Sequence, residues 1–172
     1  MKRRTLLKST IAAGALMLSF AAAQAQMALR SADTHPDGYP TVEAVKFLHK
    51  TIEERTQGRI KFTMFPASTL GQEKDTIEQT QFGVIDMNRI NMAPLNNLIP
   101  ETAVTGLPFV FRSVAHMRKV MDGAIGDDIL KAFEAHGMVG LAFYDSGARS
   151  IYNSKRPVAR VEDMKGLKIR VQ

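Results

Sequence analysis

The hydrophobic period of this chain switches repeatedly between two and about 3.6 residues, and a glycine stands at several of the switches. Residues 27–31 read as a short strand, followed by the turn-rich Asp33-Thr34-His35-Pro36-Asp37-Gly38. Over 40–57, Val42, Val45, Leu48 and Ile52 recur at three- to four-residue spacing, and Gly58 follows where a helix end takes positive φ. Residues 60–65 alternate, with Ile60, Phe62 and Met64 on one face and Pro66 closing the strand. A second helix is expected over 72–82, thin in apolar residues and ended by Gly83, and then a strand over 84–92. A Pro/Asn loop at 94–105 leads to Leu107-Pro108-Phe109-Val110-Phe111, which reads as a buried apolar segment. Ser113 can cap a short helix carrying Met117, Val120 and Met121; another helix spans about 126–136 and stops at Gly137, and 138–144 is the next strand. Strands separated by helical stretches of this length call for βαβ units, so the expected fold is α/β with a mixed, mostly parallel sheet.

Charge is unevenly placed. The formal net charge is +6, but Lys2, Arg3, Arg4 and Lys8 supply +4 of it within residues 1–25, which hold no acid. The remaining +2 describes an ordinary surface, which removes the case for nucleic acid as a partner. Those first residues have the layout of a secretory signal: a basic start, an apolar run over 11–23 too short for a membrane span, and the small-x-small site Ala23-Gln24-Ala25. Arg3-Arg4 also fits a twin-arginine signal, so both export routes stay open. The mature protein is expected to begin near Gln26 in the periplasm, and the absence of cysteine is compatible with that compartment.

The end of the chain reads differently. Residues 149–153 and 167–171 look like two strands of a new sheet with no helices to cover them, and about twenty residues cannot bury a core. The expectation is therefore a lobe over 26–148 and the opening of a second lobe over 149–172, in a chain that is part of a longer one.

Catalytic signatures are missing. There is no Gly-x-Ser-x-Gly elbow, no phosphate loop and no His-Glu-x-x-His. His35, His49, His116 and His136 are too scattered for a metal site, and cysteine ligands are absent. No cofactor and no metal are expected. The informative residues are polar ones at strand ends. Within Ile85-Asp86-Met87-Asn88-Arg89-Ile90-Asn91, the strand period puts Arg89 and Asn91 on one face at the carboxyl end, where open α/β sheets bind ligands. A guanidinium there offers a fixed fork of donors to a carboxylate or to neighbouring hydroxyls. The plain alternative for Arg89 is an edge-strand residue reaching solvent, for Arg149 an ordinary loop arginine, and for Arg170 a solvated strand face shared with Lys168.

Six segments occur in a characteristic order: Phe65-Pro66, Leu70-Gly71-Gln72-Glu73, Leu107-Pro108-Phe109, Ser146-Gly147-Ala148-Arg149, Asn153-Ser154-Lys155-Arg156-Pro157, and Asp163-Met164-Lys165-Gly166-Leu167-Lys168-Ile169-Arg170-Val171. Together they resemble the extracytoplasmic solute-binding proteins of TRAP transporters, the C4-dicarboxylate-binding or DctP family. The resemblance implies a periplasmic-binding-protein-like architecture of two lobes closing on a solute, in chains about twice this long. It implies that Arg170 pairs with a solute carboxylate, that Arg149 lies in the same cleft, and that Asn91 faces the ligand. It also implies membrane permease subunits as partners.

The tract His35-Pro36-x-Gly38-Tyr39-Pro40, with Gln72-Glu73-Lys74-Asp75 and the residues from Asp86 to Pro94, looks most like the sugar-acid branch that takes glucuronate or galacturonate. A uronate needs one carboxylate clamp and several hydroxyl partners, and Glu73, Asn91, Arg89 and His35 supply acceptors and donors for them. The plain alternative for Glu73 is an acid placed for the helix dipole. The expected function is capture of an organic acid rather than catalysis; the alternative is an exported α/β enzyme acting on sugar acids.

Overall fold

A computed structural model describes residues 26–147 and 150–170. The signal expected over 1–25 lies outside the described residues. Strand β1 (Met27–Asp33) is central in a three-stranded parallel sheet, flanked by β2 (Ile60–Phe65) and β3 (Met87–Arg89) in the order β2-β1-β3. Helix α1 (Pro40–Arg55) connects the first two strands and α2 (Glu73–Gln81) leads into the third. Helices α3 (Val114–Met121) and α4 (Ala124–Ala132) follow.

The helices obey their sequence signals. Pro40 opens α1 at a position whose N–H would be unpaired in any case. Its apolar stripe turns inward, with Val42 and Val45 buried. On α2 only Thr76 and Ile77 are buried, as its thin apolar face requires. The Ser113 hydroxyl accepts from the His116 amide at 3.1 Å, which caps α3. In α4, Gly126 is required by space: a Cβ there would lie 1.9 Å from the Met121 carbonyl oxygen.

Strand β3 is shorter than the alternation over 84–92 suggests. The Arg30 amide on β1 donates to the Asp86 side chain at 2.7 Å, so the ladder does not start before Met87. The Asn91 amide donates to the Glu73 carboxylate at 2.7 Å and so leaves the ladder beyond Arg89. Side chains have outcompeted backbone carbonyls at both ends.

Four other expectations need correction. Residues 94–105 are not a plain loop: two 3-10 helices, Ala93–Leu95 and Pro100–Gly106, carry Leu95, while Ile99 just precedes the second, and both residues join Ile77 in the core. The segment read as buried is exposed, with Leu107 at 55%, Phe109 at 100% and Val110 at 38%, because nothing among the described residues covers it. Residues 138–144 pair with no strand among the described residues, although they pack against α4 so closely that a Cβ on Gly140 would meet the Leu130 backbone at 2.8 Å. Finally, 150–153 and 167–170 are not strands. Instead Arg156 donates to the carbonyls of Asp163 and Lys165 around a 3-10 turn, Val161–Met164.

His49 on α1 is buried against β2, its ring stacked 4.3 Å from that of Phe62, and its Nε2 has no hydrogen-bond partner among the described residues. Burial holds its pKa below the ordinary histidine value of 6.5. The unfolded chain therefore takes up a proton that the folded ring refuses, so this contribution to stability is full above about pH 6.5 and is lost as the pH falls below it. We expect the melting temperature to fall between about pH 7 and pH 5, and His49→Phe to flatten that fall. Gly126→Ala should lower the unfolding free energy by about 3 kcal/mol or more, measured by denaturant titration, because the carbonyl it meets is backbone and cannot swing away.

Candidate functional site

The carboxyl ends of the three parallel strands and the amino end of α2 converge on one polar cluster. Asp33 and Arg89 are direct partners in the β1–β3 register, so their side chains leave the sheet on the same face. The Asp33 side chain has 0% exposure and that of Arg89 8%, with 3.6 Å between Arg89 Nη1 and Asp33 Oδ1. Arg89 Nη1 also lies 2.8 Å from His35 Nδ1. Its Nη2 donates to Asn91 Oδ1 at 3.3 Å and to the Ser146 hydroxyl at 3.1 Å. Asn91 in turn donates from its side-chain amide to Glu73 Oε1 at 2.9 Å, beside the 2.7 Å bond from its backbone N–H.

The loops are tied to the same place. Ser68 N–H donates to the Asp33 carbonyl at 3.1 Å and Ala67 N–H to the His35 carbonyl at 2.7 Å. Ala67 and Ser68 both take positive φ, 56° and 55°, a costly backbone for residues with a Cβ, which these bonds and the Thr34–Ser68 hydroxyl contact at 2.9 Å hold in place.

Four of the six residues singled out in the sequence thus form one connected chain: Glu73, Asn91, Arg89 and His35. Arg149 lies outside the described residues, and Arg170 is exposed. Arg89 is not the open fork expected of a strand-end arginine, since both of its terminal nitrogens are engaged within the protein. Sequence reading missed Asp33, which it left in a turn; an acid closing an apolar strand two residues before a histidine is the signal that marks it. It also passed over Ser146, whose hydroxyl ties the segment after 138–144 to the cluster.

A cavity of about 710 Å³ reaches this cluster at Arg89, Asn91 and Ser146. Its body runs between β3 and residues 138–144 over Leu95, Leu130 and Phe133, a lining that suits packed chain and not sugar hydroxyls; the polar mouth is the part suited to a hydrophilic solute. Next to it, the Asp145 carboxylate accepts from Gly147 N–H at 2.8 Å and from Arg118 at 3.0 Å, and these bonds hold its pKa below the ordinary carboxylate value. Among the described residues no group of histidine, aspartate or glutamate side chains could hold a metal ion. No helix among them is long and apolar enough to cross a membrane.

We expect Arg89→Ala to lower the unfolding free energy by about 3–5 kcal/mol in a denaturant titration, because it strands the fully buried Asp33 carboxylate without its cation.

Comparison with known proteins shows what this chain is similar to. Residues 31–172 match the family model described as bacterial extracellular solute-binding protein, family 7. A TRAP periplasmic solute-binding protein from Bradyrhizobium sp. BTAi1, solved in complex with α/β-D-galacturonate, superimposes with a TM-score of 0.80 at 60% identity, over 84% of this chain and 48% of that one. One from Pseudomonas putida F1, solved with bound D-glucuronate, gives a TM-score of 0.81 at 44% identity, over 85% and 48%. The 2,3-diketo-L-gulonate-binding periplasmic protein of Escherichia coli K12 is 35% identical over 99% of this chain and 52% of its own length. The chain therefore spans about half the length of each of these relatives. On this match the chain belongs to the DctP family, the family 7 bacterial extracellular solute-binding proteins.

Proposed function

We propose that the full-length protein captures a hexuronate in the periplasm, galacturonate or glucuronate, and delivers it to the membrane permease of a TRAP-type transporter. One observation carries this reading: the linked chain Glu73–Asn91–Arg89–His35 stands at the carboxyl ends of parallel strands, in a chain 60% identical to a protein solved with galacturonate.

In this reading residues 26–148 belong to one lobe and 149–172 open the second. The lobe-one cluster meets the ring hydroxyls. Arg170 clamps the carboxylate and Arg149 assists, the two guanidinium groups supplying forked donors that match its two oxygens. Closure of the lobes removes water from these contacts and strengthens them. The role is binding, with no bond made or broken in the solute. A wall formed by one lobe alone should hold a uronate only at about millimolar strength.

Titration calorimetry of the full-length mature protein against galacturonate, glucuronate and succinate tests the proposal. Heat with a uronate and none with succinate is expected, and no heat with any of the three overturns it. Arg170→Ala should cost about 2–5 kcal/mol, or about thirtyfold to several thousandfold in affinity, and an unchanged affinity would remove the carboxylate clamp.

A further inference from the structure

His35 Nδ1 has two close neighbours that make opposite demands. Arg89 Nη1, at 2.8 Å, can only donate, and Asp33 Oδ1, at 3.0 Å, can only accept. A single ring nitrogen meets one demand, so the other neighbour must be served elsewhere. If Nδ1 carried the proton it would donate to Asp33, and a buried guanidinium N–H would point at another N–H. If Nδ1 is bare, Arg89 donates to it and Asp33 loses little. Asp33 Oδ1 still accepts the His35 backbone N–H at 2.8 Å and faces the Arg89 cation at 3.6 Å, while Oδ2 lies 3.5 Å from the Thr41 hydroxyl. Only the second arrangement leaves the buried cation without a facing donor.

We infer that the Asp33–Arg89 pair locks His35 in the neutral Nε2–H tautomer, so that the ring presents a hydrogen-bond donor to the solute. Asp33 and Arg89 are then positioning residues, and His35 is the residue whose chemistry selects an acceptor oxygen. Three observations fit this role. The His35 side chain keeps 21% exposure, its ring is fixed by stacking on Tyr39 at 4.1 Å and 13°, and its Nε2 has no protein partner among the described residues. The ring is therefore held in place and partly exposed, with Nε2 on the side away from the Nδ1 that meets Arg89 and Asp33. The identity of the solute rests on the uronate reading above; the tautomer does not.

Nitrogen-15 spectra of the imidazole in the solute-free, full-length protein test the inference directly. A protonated Nε2 and a bare Nδ1 are expected for His35, assigned by comparison with His35→Gln; a protonated Nδ1 overturns the inference whatever the protein binds. Addition of galacturonate should shift the Nε2 resonance and leave Nδ1 nearly unmoved, and an unmoved Nε2 in a saturated complex overturns the donor role. His35→Gln, whose amide N–H stands close to the Nε2 position, should keep affinity within about fivefold, whereas His35→Asn, which mimics Nδ1, should lose about tenfold or more. Equal losses in the two variants, with both folded by melting temperature, overturn it. Absence of heat with every uronate would sink the functional reading alone, because the solute-free spectra still decide the tautomer.

Discussion

A buried ion pair governs the organisation of this lobe. Asp33 and Arg89 face each other in register across β1 and β3, with the carboxylate fully removed from solvent. Taking both charges out of water costs several kcal/mol per ion, so such a pair persists only where the remaining donors and acceptors are satisfied. Here they are. The guanidinium reaches His35, Asn91 and Ser146, and the carboxylate takes the His35 backbone N–H. One short strand pair thereby ties together five side chains, Asp33, His35, Arg89, Asn91 and Ser146, from three separate stretches of sequence.

The same economy explains why β3 has three residues. Backbone N–H groups that would extend its ladder go to carboxylates, Arg30 to Asp86 at one end and Asn91 to Glu73 at the other. The strand ends early, and the chain turns at Asn91 toward the amino end of α2. A longer ladder would carry Asn91 away from Glu73 and leave Arg89 without its Asn91 acceptor. Pairing surrendered at the sheet edge is what assembles the polar cluster, and the strained Ala67 and Ser68 backbone follows the same logic at the neighbouring loop.

Much of this was legible in the residues. Helices α1, α2, α3 and α4 follow from apolar spacing, from Pro40, from the Ser113 cap and from the glycines that end segments at 58, 83 and 137. The family was legible too, because six short segments in order are far more specific than any one of them. Leu107 to Phe111 misled because an apolar run reports a preference for burial without naming what does the burying. The stretch over 138–144 misled for the related reason that alternation describes a strand's faces and not its neighbours.

Local sequence alone determined where this chain bends, which stretches coil and which extend, and that polar residues gather at strand ends. Those properties depend on side chains a few residues apart, and spacing records them. Tertiary structure alone decided that Asp33 stands opposite Arg89, that Arg89 spends its donors inside the protein, and that His35 is caught between a cation and a carboxylate. The Asp33–Arg89 register and the Arg89 contacts to His35 and Ser146 join residues more than fifty positions apart, and no local pattern encodes which donor meets which acceptor once water is gone.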